Sequence, residues 1–196
     1  LLGWPAEQRP ELVAAAAAGG GLAGELAARY PTDVGVLVAL LLNRVRLAPG
    51  EGIWMPAGNL HAYLRGTGVE IMAASDNVLR GGLTPKPVDV PELLRVLRFE
   101  VLADPVVPAV PVAPGVVTWP VPVPDFALYR AEVDGAEVAV PAGGPRIALC
   151  LAGEVRVDDG VAGVRLAAGR AAIGAAGAKP VSVSGRGVVF VATTGL

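Results

Sequence analysis

The 196-residue sequence is poor in the residues that build cross-linked and metal-binding sites, since it contains one cysteine and one histidine, and 5% of its residues are aromatic. The single cysteine, Cys150, excludes an intramolecular disulfide, and its apolar run 147–151 predicts a buried strand thiol without a chemical role. No apolar run reaches the about 18 residues that a membrane-spanning helix requires. The first residues also lack the pattern of a secretory signal. We therefore expect no membrane partner and a cytoplasmic location.

Positive charge is scarce as well, because 16 Lys and Arg residues stand against 18 Asp and Glu residues, for a net charge of −2. This balance lacks the basic footprint that binding to a phosphate backbone needs, so we expect no nucleic-acid partner. The chain contains 26 glycines and 18 prolines, and 53% of its residues are hydrophobic. That composition indicates a globular fold of many short elements joined by tight turns, which favours a mainly β protein.

The first 40 residues are predicted to be helical. Pro10 suits the start of an alanine-rich helix that stops at Gly19, and a second short helix covers 22–29. The apolar run 34–42 predicts one helical turn followed by a strand. Short strands separated by turn residues are then predicted, and they cover 43–47, 52–55, 61–64 and 69–73. Asp89 is predicted to cap a further helix that ends near Phe99.

Residues 103–124 carry seven prolines and predict an extended connector or edge segment, where we place a domain boundary. Short apolar strands separated by glycine turns follow, at 126–133, 136–140, 146–151, 154–157, 161–166, 171–173, 181–183 and 188–192. They predict a second all-β unit, which contains no histidine and no acidic cluster typical of a metal or acid-base site.

One spacing of turn residues directs attention to the only histidine. The spacing is Gly50, five residues, Pro56, one residue, Gly58, two residues and then His61. It resembles the second half of the cupin signature, in which a turn delivers a histidine into a β-barrel. The family pattern usually continues to an asparagine four residues later, where this chain has Arg65.

A longer resemblance is more specific. Several sequence segments are similar to type I mannose-6-phosphate isomerases of the cupin superfamily. They are Leu40–Asn43, Leu47–Glu51, Pro56–Leu64, Ser75–Lys86 (SDNVLRGGLTPK) and Asp89–Leu94. The resemblance implies the C-terminal portion of such a protein. It divides the chain into the end of a helical domain (1–40), the C-terminal half of a catalytic cupin barrel with its following helix (41–102), the Pro-rich connector (103–124) and a C-terminal cupin-like β domain (125–196).

The resemblance also implies a function, the zinc-dependent interconversion of mannose 6-phosphate and fructose 6-phosphate. Such an aldose-ketose isomerisation needs a base, a group that holds the developing oxyanion and a cation for the phosphate. On the family pattern His61 is a zinc ligand and Arg80 a catalytic or substrate-binding cation. Four further positions match substrate contacts, namely Lys86, Asp76, Tyr63 and Glu70.

Each role has a simpler alternative. Arg80 lies four residues after Asp76 and could form an exposed ion pair, which contributes about 0–1 kcal/mol. Lys86, between two prolines, could be a solvated loop lysine. Tyr63 and Glu70 alternate with apolar neighbours, so each could face solvent or the barrel.

One histidine does not complete a zinc site, which takes three or four protein ligands. In the family the other ligands are a glutamine, a histidine and a glutamate from the N-terminal half of the barrel. The chain begins at Leu1 without a methionine. We therefore expect an N-terminally incomplete chain, with the missing half in the same or another chain. The alternatives are a non-catalytic cupin-like sugar-phosphate-binding module and a purely structural partner subunit.

Overall fold

A computed structural model describes residues 1–74 and 78–195. Its helical elements are a 3-10 turn Ala6–Gln8, α1 Arg9–Ala17, α2 Gly21–Ala27, α3 Gly35–Ala39 and α4 Val90–Val96. Its strands are β1 Gly52–Ile53, β2 Val106–Val107, β3 Val110–Ala113, β4 Val116–Thr118, β5 Ala127–Asp134, β6 Val138–Val140, β7 Arg146–Asp158, β8 Gly163–Ala167, β9 Ala171–Gly174 and β10 Val181–Thr193. The expected mainly β fold with a helical N-terminal segment is confirmed. Among the described residues no helix combines the length and the hydropathy needed to span a bilayer.

Two compact units divide the chain. The helical unit comprises 1–46, 55–68 and 78–103, and the sheet unit comprises 47–54, 69–74 and 104–195.

The helices of the helical unit begin where the sequence signals predict. Pro10 occupies the first turn of α1, where its missing N–H costs no hydrogen bond. The side chain of Asp89 caps α4 by accepting a hydrogen bond from the Glu92 N–H at 3.0 Å. Helices α1 to α3 are short, so their stability depends on the apolar side chains they bury together. These buried residues are Val13, Ala23, Leu26, Val36 and Ala39.

The strands predicted for 43–47, 61–64 and 69–73 are absent, and this part of the prediction is wrong. The run 34–42 forms the helical turn α3 but no strand. Of the predicted strand 52–55 only β1 forms, and it pairs antiparallel with β2. A strand is stable only when a neighbouring backbone satisfies its N–H and C=O groups. Within the described chain, the other segments pair with no such neighbour.

Besides the β1–β2 pair, the sheet unit contains one antiparallel sheet of eight strands, in which β3, β4, β5, β10, β7 and β8 are successive neighbours. Strand β6 also pairs with β10, and β9 pairs with β7. Strands β7 and β10 each contain 13 residues. Each of them joins two strands that the sequence predicted separately, because the glycines between those apolar runs continue the sheet instead of ending it.

Strand β10 changes partners along one edge, where 181–183 pair with β6 and 186–193 pair with β5. Its other edge pairs with β7 throughout, with a bulge at Val188/Val189. Gly153 and Gly187 allow this bulge, since a Cβ at Gly187 would overlap the Ala152 carbonyl oxygen. A strand that bends in this way contributes to both layers of a β-sandwich or jelly roll.

The core of the sheet unit consists almost entirely of valine and alanine. Alternate residues along β5, β7 and β10 are buried, as their period of two predicts. The fully buried members are Val116, Ala131, Val140, Ala142, Cys150, Val183, Val189 and Val191.

Candidate active-site loops

The turn that precedes His61 is fixed against the end of α4. The Asn59 N–H donates to the Pro56 carbonyl at 3.2 Å, which closes the turn. Gly58 adopts a φ of 82°, and a Cβ there would lie 2.8 Å from the Val96 carbonyl oxygen. The Arg98 N–H donates to the Gly58 carbonyl at 3.0 Å. Glycine is required at this position by both its backbone conformation and the close approach of the helix.

His61 is exposed at the end of this turn. Its Nδ1 lies 3.1 Å from the Asn59 carbonyl oxygen, and its ring meets the Tyr63 ring edge-on with centroids 5.8 Å apart. When Nδ1 carries the proton and donates to that carbonyl, Nε2 presents its lone pair to solvent. A backbone carbonyl on one ring nitrogen is the usual support for a metal-binding histidine. In that tautomer Nε2 is available as a metal donor.

The loop that carries Arg80 lies beside the loop that carries His61. The side chain of Leu60 packs over Gly81, where an added Cβ would lie 2.5 Å from Leu60 Cδ1. Leu60 directly precedes His61 and Gly81 directly follows Arg80. The contact brings the two loops together, one residue away from each predicted functional side chain.

Asp33 anchors the loop between Arg80 and Lys86 to the start of α3. Its Oδ1 accepts a hydrogen bond from the Gly35 N–H at 2.7 Å, and its Oδ2 accepts from the Thr84 N–H at 3.3 Å. Gly35 and Gly82 lie in backbone contact, since a Cβ at Gly82 would be 2.8 Å from the Gly35 Cα. Leu83 adopts a φ of 55° and packs against the helical core. The sequence reasoning missed Asp33, because its partner lies 51 residues away.

Removing this anchor is expected to loosen the loop. In Asp33→Ala the part-buried N–H groups of Gly35 and Thr84 lose their acceptor, which costs about 1–3 kcal/mol of local stability. Hydrogen exchange at Thr84 should accelerate accordingly, and Asp33→Asn, which keeps one acceptor oxygen, should lie between. Asp104→Ala, at an exposed aspartate of the sheet unit, is the matched control. Equal exchange in Asp33→Ala and the control would remove Asp33 from this role.

The remaining predicted residues are distributed between the units. Tyr63, Arg80 and Lys86 are exposed residues of the helical unit, and Glu70 is exposed in the sheet unit. Asp76 lies outside the described residues. The structure thus brings the His61 and Arg80 loops into contact and holds Arg80 and Lys86 on one anchored loop.

The residues present do not make a complete zinc site. In the part of the chain that the structure describes, no three His, Cys, Asp or Glu side chains lie close enough together to hold a metal ion. Cys150 adds no ligand here, because it is buried in the sheet unit and burial raises the pKa of its thiol. A zinc site takes three or four protein ligands, so a site that included His61 would need two or three more.

The antiparallel sheet of the sheet unit is of the jelly-roll type, and the helical unit carries the Pro-x-Gly turn that precedes His61. Each of these features is typical of cupin-type proteins. No protein-family profile matches the chain. The mannose-6-phosphate isomerase of Escherichia coli (strain K12) is 40% identical over 159 residues, which are 81% of this chain and 41% of that protein. Mannose-6-phosphate isomerase 1 of Arabidopsis thaliana is 35% identical over 136 residues, 68% of this chain and 32% of that protein.

A solved structure of Salmonella typhimurium mannose 6-phosphate isomerase, bound to the substrate fructose 6-phosphate and to zinc, superposes on the whole chain with a TM-score of 0.83. It is 32% identical, and this chain covers 52% of it. The chain belongs to the mannose-6-phosphate isomerase family. It spans about half the length, or less, of the relatives it matches.

Proposed function

We propose that this chain is part of a zinc-dependent isomerase that interconverts mannose 6-phosphate and fructose 6-phosphate in the cytoplasm. The observation that carries the proposal is the packing of Leu60 on Gly81, which sets the histidine loop against the arginine loop. The relatives named above support it, because the Salmonella typhimurium enzyme binds fructose 6-phosphate and zinc in its solved structure.

In this proposal His61 donates Nε2 to the zinc ion, and the other ligands come from a complementary segment in the same or another chain. Arg80 is the cation that stabilises negative charge on the reacting sugar. Lys86 holds the substrate, with Tyr63, Glu70 and Asp76 as further contacts. The proposal explains why 43–47 and 61–64 remain unpaired, since their partner strands belong to that complementary segment.

A non-catalytic sugar-phosphate-binding module is the alternative. One observation favours it, namely that the described residues contain no group of three His, Cys, Asp or Glu side chains able to hold a metal ion, while the loop around Arg80 and Lys86 is anchored by Asp33. Such a module would bind sugar phosphate without needing zinc.

The two proposals differ in their response to a chelator. The complete protein is expected to isomerise mannose 6-phosphate, to lose activity on treatment with a chelator and to regain it with zinc. The 196-residue chain by itself is expected to be inactive, because it holds one donor of the zinc site. Sugar-phosphate binding without turnover by the zinc-loaded complete protein would select the module instead.

A further inference from the structure

An open cleft of about 660 Å³ lies within the helical unit, between the N-terminal helices and the 82–90 segment. Three basic side chains line it, namely Arg9 at the start of α1, Arg29 after α2 and Lys86 on the anchored loop. Its volume lies in the range typical of small-molecule sites. The cleft is a different feature from the His61 loop, which does not line it.

The charges around this cleft are unbalanced. Arg29 and Lys86 form no ion pair or side-chain hydrogen bond within the described residues, and Arg9 uses only its Nε, which donates to the Trp4 carbonyl at 2.8 Å. Among the described residues that line the cleft, Asp33 is the only acidic one. Both of its oxygens already accept backbone N–H groups, at 2.7 and 3.3 Å. The cleft therefore has free cationic donors, and the Asp33 carboxylate is already hydrogen-bonded to the backbone.

Hydroxyl groups complete the lining. Tyr30 and Thr84 border the cleft, and Thr84 Oγ1 accepts a hydrogen bond from the Lys86 N–H at 3.2 Å, which orders the loop that carries the lysine. Guanidinium forks and an ammonium group, supported by hydroxyls, are the donors that bind phosphate oxygens. A carboxylate or a neutral sugar would leave some of these donors unused.

We propose that the cleft formed by Arg9, Arg29 and Lys86 is a binding site for a phosphate monoester dianion. The ligand is either the phosphate group of the sugar substrate or a separate phosphate compound. In the first case the site rests on the proposed function, in which Lys86 contacts the substrate. Phosphate binding needs neither zinc nor turnover, so failure of the site and failure of the isomerase activity can be told apart.

Inorganic phosphate is the probe, titrated into the complete protein by calorimetry with the metal removed by chelation. We expect saturable binding that weakens with added sodium chloride, because Arg29 and Lys86 are exposed and Arg9 is only half-buried. Arg29→Gln should weaken it by about tenfold, the effect of one charge-assisted hydrogen bond. Arg170→Gln, at an exposed arginine of the sheet unit, makes the same charge change and should leave binding unchanged.

Two results would overturn the site. One is the absence of saturable binding up to about 10 mM phosphate, a concentration at which even weak, millimolar binding would be detected. The other is equal binding by Arg29→Gln and Arg170→Gln when both melt at the parent temperature. Arg29 is exposed, so folding of the variant is expected to be normal.

The source of the phosphate group follows from competition. If mannose 6-phosphate displaces inorganic phosphate and Arg29→Gln raises its KM or its Kd, the cleft holds the phosphate of the substrate. If mannose 6-phosphate does not compete while Arg29→Gln still weakens phosphate binding, the cleft holds a separate phosphate compound. Competition and the effect of Arg29→Gln on the Kd are both binding measurements, so a protein without isomerase activity would still give them.

Discussion

His61→Ala in the complete protein is expected to lower bound zinc and isomerase activity together. The substitution removes the imidazole that the Pro56-to-Gly58 turn presents, and no other His or Cys of the helical unit can replace it. Loss of a direct ligand should weaken zinc at least as much as loss of a supporting residue, which costs about 10–100-fold. Zinc per protein, measured by elemental analysis after dialysis, and turnover should fall in parallel.

Arg80→Ala is the comparison that separates metal binding from catalysis. Arg80 lies on the neighbouring loop and has no metal-binding atoms, so this variant should retain zinc. Its kcat should fall by about 100–1,000-fold, the usual effect of removing one group that stabilises transition-state charge. Arg44→Ala, at another exposed arginine of the helical unit, is the matched control and should keep both zinc and turnover.

Opposite outcomes have clear meanings. Full zinc and normal turnover in His61→Ala would remove the histidine from the proposed metal site. Unchanged kinetics in Arg80→Ala would leave Arg80 as an exposed cation, for which a local ion pair is the simpler interpretation.

The sequence predicted elements well where the interactions that stabilise them are close along the chain. Pro10 and Asp89 mark helix starts through local hydrogen-bond rules, and both helices were found there. The apolar runs that predicted β5, β7 and β10 were also informative, because these strands find their partners within the chain. Similar short runs between turn residues misled for 43–73, since a local pattern shows which segments could form strands but not whether a neighbouring strand is present.

Long-range contacts of the candidate site were not predictable from local pattern. His61, Arg80 and Lys86 were identified through motif resemblance, and their assigned roles stay predictions. Asp33 had no motif to mark it, because its function depends on a backbone N–H 51 residues later. The cleft lined by Arg9 and Arg29 was missed for the same reason, since these residues meet Lys86 only in the folded chain.

Arg146 is a buried arginine of the sheet unit whose role likewise becomes visible only in the fold. Its side chain is 5% exposed, and it forms no carboxylate ion pair within the described residues. Its Nε donates to the Ala175 carbonyl at 3.0 Å, and its Nη1 donates to the Ala142 and Lys179 carbonyls at 2.9 and 3.3 Å. The guanidinium thereby holds the 175–179 segment onto the first residue of β7.

Glycines make room for this side chain. A Cβ at Gly177 would lie 2.5 Å from Arg146 Nη2, and a Cβ at Gly174 would lie 3.1 Å from its Cγ. The guanidinium is planar and presents its donors in fixed directions, so a lysine at this position would serve fewer of the carbonyls.

Arg146→Met is therefore expected to destabilise the sheet unit by about 3 kcal/mol or more, because an unpaired buried polar group costs about 1–3 kcal/mol and three carbonyls lose their donor. Arg146→Lys should lie between Met and the parent. Urea unfolding of the complete protein gives the free energy, and hydrogen exchange over 142–180 localises the loss. Arg165→Met, at an exposed arginine of β8, should stay within about 0.5 kcal/mol of the parent. Equal stability of Arg146→Met and Arg165→Met would show that the carbonyls find other partners.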